Sequence, residues 1–411
     1  MTQIEQRYQH WHGDHEGIWR RRWVIASGTL QGCLQVKWLK RLVAGCWIAA
    51  LGQMVLLFLY SQLVDSTSAL AEWLGADDPR FMSIVLGLEA ALNNSPELTV
   101  SVPWNLVFGF YSLLLFWPTM LVLTVGLTRV ISRDLSSNAI VVYASKAVSR
   151  WDYFFGKLGA VIALMAITWL GPVLLAWFAG NMLAPSWEFF WLTRDALVHS
   201  ALFVLVGMAF LAALTMGISA VSENGKVVTF TWLVVWLLGW AMEGPAQHSN
   251  NQWLRHLSFR YNLGRIHTEV FNPGQGYGSL KNLRDDGEGN PASLEELMRV
   301  FIYMQDSELR RSHQRARRQA RSENREARQL HQDEMERIRE MEEDPQKQER
   351  MLNEKRLEFE ESIQARRDAI VLELEKDLRA QRQRRFNGAV LGLGLMMTLA
   401  GGIVFQRLRP Q

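Results

Sequence analysis

Six stretches of this chain, at about 43–64, 104–128, 156–180, 196–221, 226–243 and 387–405, run for some twenty residues each with almost no charge. Crossing hydrocarbon as a helix takes roughly 20 mostly apolar residues, because only a helix or a closed barrel satisfies its own backbone hydrogen bonds there. The pattern predicts an all-α polytopic membrane protein with six transmembrane helices. The fifth stretch is short, and Gly388, Gly392, Gly394, Gly401 and Gly402 dilute the sixth. The stretch 81–92 is too short to span and carries Glu89, so it is expected to be an amphipathic helix outside the bilayer core.

Whole-chain composition, 49% hydrophobic and 21% charged, hides this segregation. Residues 43–243 are poor in charge, whereas Arg, Glu and Gln make up about half of 292–386. The formal net charge of +3 is too small to imply a polyanionic partner, so no nucleic acid is expected. Cys33 and Cys46 form neither a disulfide framework nor a CxxC metal pattern. The polar, basic first forty residues lead into an apolar segment too long for a signal peptide core, which reads as a signal anchor.

Basic residues in short loops set the orientation. Arg20, Arg21, Arg22, Lys37, Lys40 and Arg41 precede the first span, and Asp65, Glu72, Asp77 and Asp78 follow it. Arg129, Arg133, Lys146, Arg150 and Lys157 join the second and third, Lys226 precedes the fifth, and Arg407 and Arg409 end the chain. Both termini are therefore expected in the cytoplasm and 244–386 outside. The expected units are a cytoplasmic N-terminus and interfacial helix (1–42), spans one to five (43–243), an irregular extracytoplasmic segment (244–293), a charged helical hairpin (294–385), and span six with a cytoplasmic tail (386–411). Trp19, Trp23, Leu30, Leu34 and Trp38 recur at helical spacing between basic residues, the pattern of an interfacial helix over 19–41.

The hairpin is the long insertion between spans five and six. Residues 294–385 contain one proline, Pro345, and no glycine. Folding back at Pro345 places residue i opposite a residue numbered near 689 minus i, which brings Leu330 to Phe359, Ala320 to Ala369 and Ile338 to Met351. Residues 346–385 are expected to continue into span six as one helix, because no breaker intervenes before Asn387.

The segment 129–157, RVISRDLSSNAIVVYASKAVSRWDYFFGK, is too apolar to be simply solvated and too charged to be buried. Such a surface meets a partner protein. Its run of Asp134-Leu135, an apolar stretch with Tyr143, then Ser145-Lys146, Ser149-Arg150, Asp152-Tyr153 and Gly156-Lys157 resembles the cytoplasmic segment of type-2 ABC transporter permeases. The order of spans, the preceding interfacial helix and the stretch Arg20–Ala26 are similar to that family too. Where the family often has Arg-Pro, this chain has Lys146-Ala147. The resemblance implies coupling helices in 129–157 that dock on an ATPase subunit, with Arg133, Asp134, Leu135, Tyr143, Lys146 and Arg150 as ATPase-coupling residues. It also implies a second permease subunit, the same chain or a related one, and location in the bacterial plasma (inner) membrane as a multi-pass protein.

Gly156-Lys157 and Gly225-Lys226 lack the upstream Gly and following Ser/Thr of a phosphate-binding loop, so ATP is expected to be used by a separate subunit, with no cofactor bound directly. No enzyme chemistry is expected either, since no catalytic pair lies in the spans. His10, His12 and His15 are read as part of a polar N-terminus rather than as a metal site. His199 and Glu243 stand at span ends, and the apparent lack of ionisable residues within the spans argues against a proton-coupled transporter or channel. The leading expectation is the permease subunit of an ATP-driven exporter. The alternative is a membrane-anchored interaction protein whose extracytoplasmic coiled-coil hairpin, 294–385, recruits a partner.

Overall fold

The computed structural model describes residues 17–65, 67–75, 79–94, 96–126, 130–139, 148–242, 252–271, 311, 314–315, 318–319, 329, 331–339 and 345–407. Those residues are helical almost throughout, and no strand occurs among them. The first helices are α1 (Ile18–Leu34), α2 (Lys37–Val64), α3 (Ala69–Gly75), α4 (Pro79–Asn94), α5 (Pro96–Gly126) and α6 (Ser132–Ser136). They are followed by α7 (Arg150–Met165), α8 (Gly171–Met182), α9 (Phe189–Leu192), α10 (Arg194–Ala220) and α11 (Gly225–Ala241). The chain closes with α12 (Phe259–Phe271) and α13 (Pro345–Arg407).

Among the described residues five helices are long and apolar enough to cross a membrane: Lys37–Val64, Thr99–Gly126, Arg150–Met182, Arg194–Ala220 and Leu372–Arg407. The remaining expected stretch forms α11, which is apolar but only 17 residues, about 26 Å long. Contacts at the helix ends fix how these rods alternate. Gly126 at the end of α5 lies against Leu39 near the start of α2. Ser219 at the end of α10 accepts the Ile131 amide at 2.7 Å, and Arg407 donates to the Val221 carbonyl at 3.1 Å. The starts of α2 and α11 and the ends of α5, α10 and α13 therefore meet on one face of the bundle, the face that carries α6.

The third long helix is interrupted. Residues Ala166–Leu170 form a π turn immediately before Gly171-Pro172. Proline supplies no amide to the ladder, and the widened turn absorbs the mismatch. The turn throws Trp169 into the core, where its indole donates to the Ser112 carbonyl at 2.8 Å. Its six-membered ring lies where a side chain at Gly207 would be, 2.5 Å from an added Cβ. Trp169, Phe116 and Phe203 interlock edge to face there, and an aromatic core of this kind welds α5, α7–α8 and α10 together.

Two expectations are corrected. The interfacial stripe of 19–41 is split, because α1 stops at Leu34 and Lys37 begins α2, so Trp38 belongs to the first spanning helix. Trp19 and Trp23 are exposed while Leu30 and Leu34 pack on the core. The second correction is larger. The segment 244–293 is not wholly irregular, since Gln252–Leu257 form a 3-10 turn and α12 follows it. Phe259, Asn262, Leu263, Ile266, His267 and Phe271 are buried on one side of α12, at the i, i+3/i+4 spacing of a helix facing a core. Prolines and glycines on either side led the sequence reading past a strongly amphipathic helix.

α12 is a wedge inside the bundle. Phe259 fills the space at Gly239 of α11 and stacks on Phe210 of α10. Asn262 and His256 occupy the ground at Gly392 and Gly388 of α13. Small residues recur four apart as Ala209, Ala213 and Gly217 and again as Gly388 and Gly392, which allows close helix approach, and Gly217 meets Ala400 of the same chain. Ala209, on the same four-residue spacing, is exposed.

α13 runs 63 residues without a break, about 95 Å. Only its last third or so packs into the bundle. The helical residues 331–339 run antiparallel to its beginning: Arg339 O accepts from Gln348 at 2.9 Å, Glu334 pairs with Lys355 at 3.5 Å, and His331 stacks on Phe359. These pairs sum to 687, 689 and 690. Leu330 and Ala320, named in the expected register, lie outside the described residues.

Candidate functional site

α6 and the start of α7 carry the described part of 129–157. α6 is one short turn ending at Asn138, whose φ of 52° is a left-handed conformation that asparagine tolerates better than most residues. Ser149 opens α7 as its N-cap, accepting the Asp152 amide at 3.1 Å, the usual service of a short polar side chain at that position.

Two ion pairs fasten neighbouring elements to α7. Arg22 Nε meets Asp152 Oδ1 at 2.8 Å, with the carboxylate side chain 5% exposed, and so ties α1 to α7. Ser149 Oγ donates to the other oxygen of Asp152 at 2.8 Å. One turn on, Lys157 Nζ meets Asp134 Oδ2 at 2.7 Å, and the Tyr153 hydroxyl donates to the same oxygen at 3.0 Å, tying α6 to α7. Between the two pairs, Gly156 lets α1 approach so closely that an added Cβ would lie 2.7 Å from Ile25 Cβ. α1, α6 and α7 therefore form one braced unit. Its rear is sealed by the Ile131–Ser219 bond, and Cys33 Sγ donates to the Gly126 carbonyl at 3.1 Å. Burial pushes the Cys33 thiol up, against the opposing pull of Lys157 and Arg133.

The six expected coupling residues are distributed unevenly. Arg133 and Arg150 are exposed. Leu135 packs against the core, and Asp134 is taken up by Lys157 and Tyr153 of its own chain. Tyr143 and Lys146 lie outside the described residues, as do His10, His12 and His15. The outward surface of α6 is Arg133, Ser136, Ser137 and Asn138. Sequence reasoning missed Arg22 and Asp152 as a pair, because they are 130 residues apart and only the packing of α1 on α7 unites them.

Comparison with protein-family models, with curated proteins and with solved structures finds no match to this chain. The arrangement of its own residues is therefore the guide to what it does. Among the described residues no group of three His, Cys, Asp or Glu side chains could hold a metal ion.

The bundle interior is more polar than the spans alone, because α12 packs ionisable groups against them. α12 brings His267 into contact with the Gly109 carbonyl of α5 at 2.8 Å. His199 of α10 meets Asn105, one turn earlier on α5, at 3.0 Å. Arg260 of α12 lies over the Trp117 ring at 5.4 Å, and Trp117 is nine residues from the α6-face end of α5. Hydropathy windows could not show His267 or Arg260, since both arrive on a polar helix outside the apolar stretches.

Proposed function

We propose that this chain is the membrane permease subunit of an ATP-driven ABC-type exporter, working with a separate ATPase subunit and a second permease subunit. One observation carries the reading: α6 is a short, outward-facing turn on the face where α5 and α7 meet, and two ion pairs brace it and α1 on a spanning helix. A partner pressing on Arg133, Ser136 and Asn138 would move α7 rather than deform a loop, because Asp134–Lys157 and Arg22–Asp152 transmit the load. The basic loops and the resemblance of 129–157 support a reading in which this face is on the cytoplasmic side of a bacterial plasma membrane, with both termini on that side and α11 as a sixth crossing. The test is co-purification of the tagged full chain from native membranes. An ATPase with a phosphate-binding loop should come with the wild-type chain and be lost in Arg133→Glu, while Glu358→Lys on α13 keeps it. Recovery of no such ATPase defeats the reading.

A second reading, a membrane-anchored interaction protein, is favoured by α13 alone. A helix of about 95 Å needs only its last third to cross a bilayer, and the rest reaches roughly 60 Å beyond it. The hairpin reading of 294–385, with its extracytoplasmic partner, rests on the antiparallel pairs at 331–339. The two readings part at the experiment just given, because an arm-only protein has no use for an ATPase on α6.

A further inference from the structure

Gln53 lies on the buried stripe of α2, about 24 Å along it from the α6 face. Neither its amide nitrogen nor its carbonyl oxygen has a hydrogen-bond partner among the described residues. A primary amide offers two donors and an acceptor, and leaving them unpaired away from water is strongly unfavourable. Trp104 Nε1, Ser112 Oγ and Ser200 Oγ are in the same condition, and all four side chains are 0% exposed. The packing brings the four to one stretch of the bundle. Leu57, one turn after Gln53 on the same stripe, meets Gly180 of α8 together with Trp104, while Trp47 meets Gly171. Ser112 stands at Trp169, whose indole donates to its carbonyl. Ser200 falls midway between Thr193, which bonds Asn181, and Gly207, which meets Trp169. All four groups therefore lie between the levels of Trp169 and Asn181, about 18 Å of helix running from mid-bundle toward the end away from α6.

The chemistry of this layer selects its occupant. On the stretches 47–57, 104–112, 169–181 and 193–207 the only charged side chains are Arg194 and Asp195, which are exposed and pair with each other at 3.6 Å. The histidines at this level are already paired, His199 with Asn105 and His267 with the Gly109 carbonyl. A carboxylate or phosphate would accept from Trp104 and the Gln53 nitrogen but leave the Gln53 oxygen facing an anion. An ammonium would serve that oxygen and leave both N–H groups without an acceptor. Either charge would also lack a counter-ion at this depth. A hydroxyl both donates and accepts, so it satisfies all four groups. We infer that Gln53, Trp104, Ser112 and Ser200 form a binding site for uncharged hydroxyl groups, supplied by water or by a polyol, between α2, α5, α8 and α10. The movable wall is α8. The π turn and Gly171-Pro172 interrupt the third span at the lower edge of the layer, so α8 tilts from α2 while α7 stays braced to α1 and α6. The site needs no ATPase and does not rest on the exporter reading.

The purified full-length chain in neutral detergent, lacking Cys33 and Cys46 and carrying Ser200→Cys, is treated with methanethiosulfonate reagents. These attack the ionised thiol, which a dry apolar interior suppresses. The neutral hydroxyethyl reagent should modify Ser200→Cys about tenfold or more faster than Val122→Cys, a buried position on α5 beyond the layer, the scale of one hydrogen bond. It should also outpace the anionic sulfonatoethyl reagent at Ser200→Cys by a similar factor. Gln53→Leu should slow that reaction severalfold, and Trp104→Phe, which removes a single N–H, should slow it less. Molar glycerol slows the reaction if a polyol enters, whereas an unslowed reaction assigns the site to water; both uphold the hydroxyl chemistry. A Ser200→Cys rate no higher than that of Val122→Cys overturns the inference, as do equal rates for the neutral and anionic reagents. A raised thermal midpoint in Gln53→Leu with labelling unchanged also overturns it, since the amide would then be dry and unpaired. If Gln53→Leu does not fold, Trp104→Phe decides on the same scale. No ATPase is involved, so failure here leaves the co-purification test of the exporter reading intact.

Discussion

Gly156 carries the tightest demand placed on any single residue of the α1–α7 contact. With Ile25 Cβ 2.7 Å from where its own Cβ would be, Gly156→Val must push α1 off α7 and stretch the Arg22–Asp152 pair. Overpacking of this kind costs about 1–3 kcal/mol. Cys33, near the end of α1, reports the displacement. In a chain lacking Cys46, its raised pKa and its bond to Gly126 keep the thiolate scarce at pH 8, so maleimide labelling should be slow there and quicken as pH rises. Gly156→Val should accelerate labelling at pH 8 severalfold; an unchanged rate means that α1 is not seated on α7 through this glycine. The Asp134–Lys157 pair makes a separate prediction. Its side chains are 14% and 7% exposed, and removing one partner of a buried pair costs on the order of 3–5 kcal/mol, mostly through the charge left behind. Asp134→Asn should therefore lower thermal stability more than the double change Asp134→Asn with Lys157→Met. Equal losses would show that the pair is not coupled. At this scale little was legible in the sequence. Arg133, Asp134 and Lys157 stood out as charges in an apolar loop, but which of them faces outward depends on a fold that joins residues 19 to 130 positions apart.

Elements were legible wherever one physical rule dominated. The first four long apolar helices followed from the length of hydrocarbon to be crossed, within six residues at each end. α13 followed from the absence of any breaker between Gln346 and Asn387, and the register beside it from the single proline at 345. α12 was missed because its signal is an amphipathic period lying between turn formers such as Pro245 and Pro273, and a polar helix inside a bundle of apolar ones contradicts the composition rule that picks out the others. The register is directly testable. Cysteines at Glu334 and Lys355 should form a disulfide readily under mild oxidation, since these positions face each other across the two helices. Cysteines at Glu334 and Leu372 should not, because Leu372 is 17 positions further along α13, about 26 Å away. Comparable yields from the two pairs would rule out an antiparallel pairing fixed at Pro345.

For the molecule as a whole, the alternating rods place α6 and the free end of α13 on opposite faces. Single cysteines at Ser136 and Glu358, in a chain without Cys33 and Cys46, should accordingly label from opposite sides of intact cells with an impermeant thiol reagent. Glu358 should react from outside and Ser136 only after permeabilisation; reaction of both from the same side would mean that an even number of helices crosses between them. Missed at this scale is the α12 wedge, which brings His267 and Arg260 against the apolar helices. The proposed function requires an ATPase to dock on α6. A photocrosslinking residue at Asn138, exposed just after α6, tests this in native membranes. The expected result is a crosslink to an ATPase carrying a phosphate-binding loop, absent when the same group stands at Glu358; crosslinks from Asn138 to the chain itself alone, or to no ATPase, would rule out docking there.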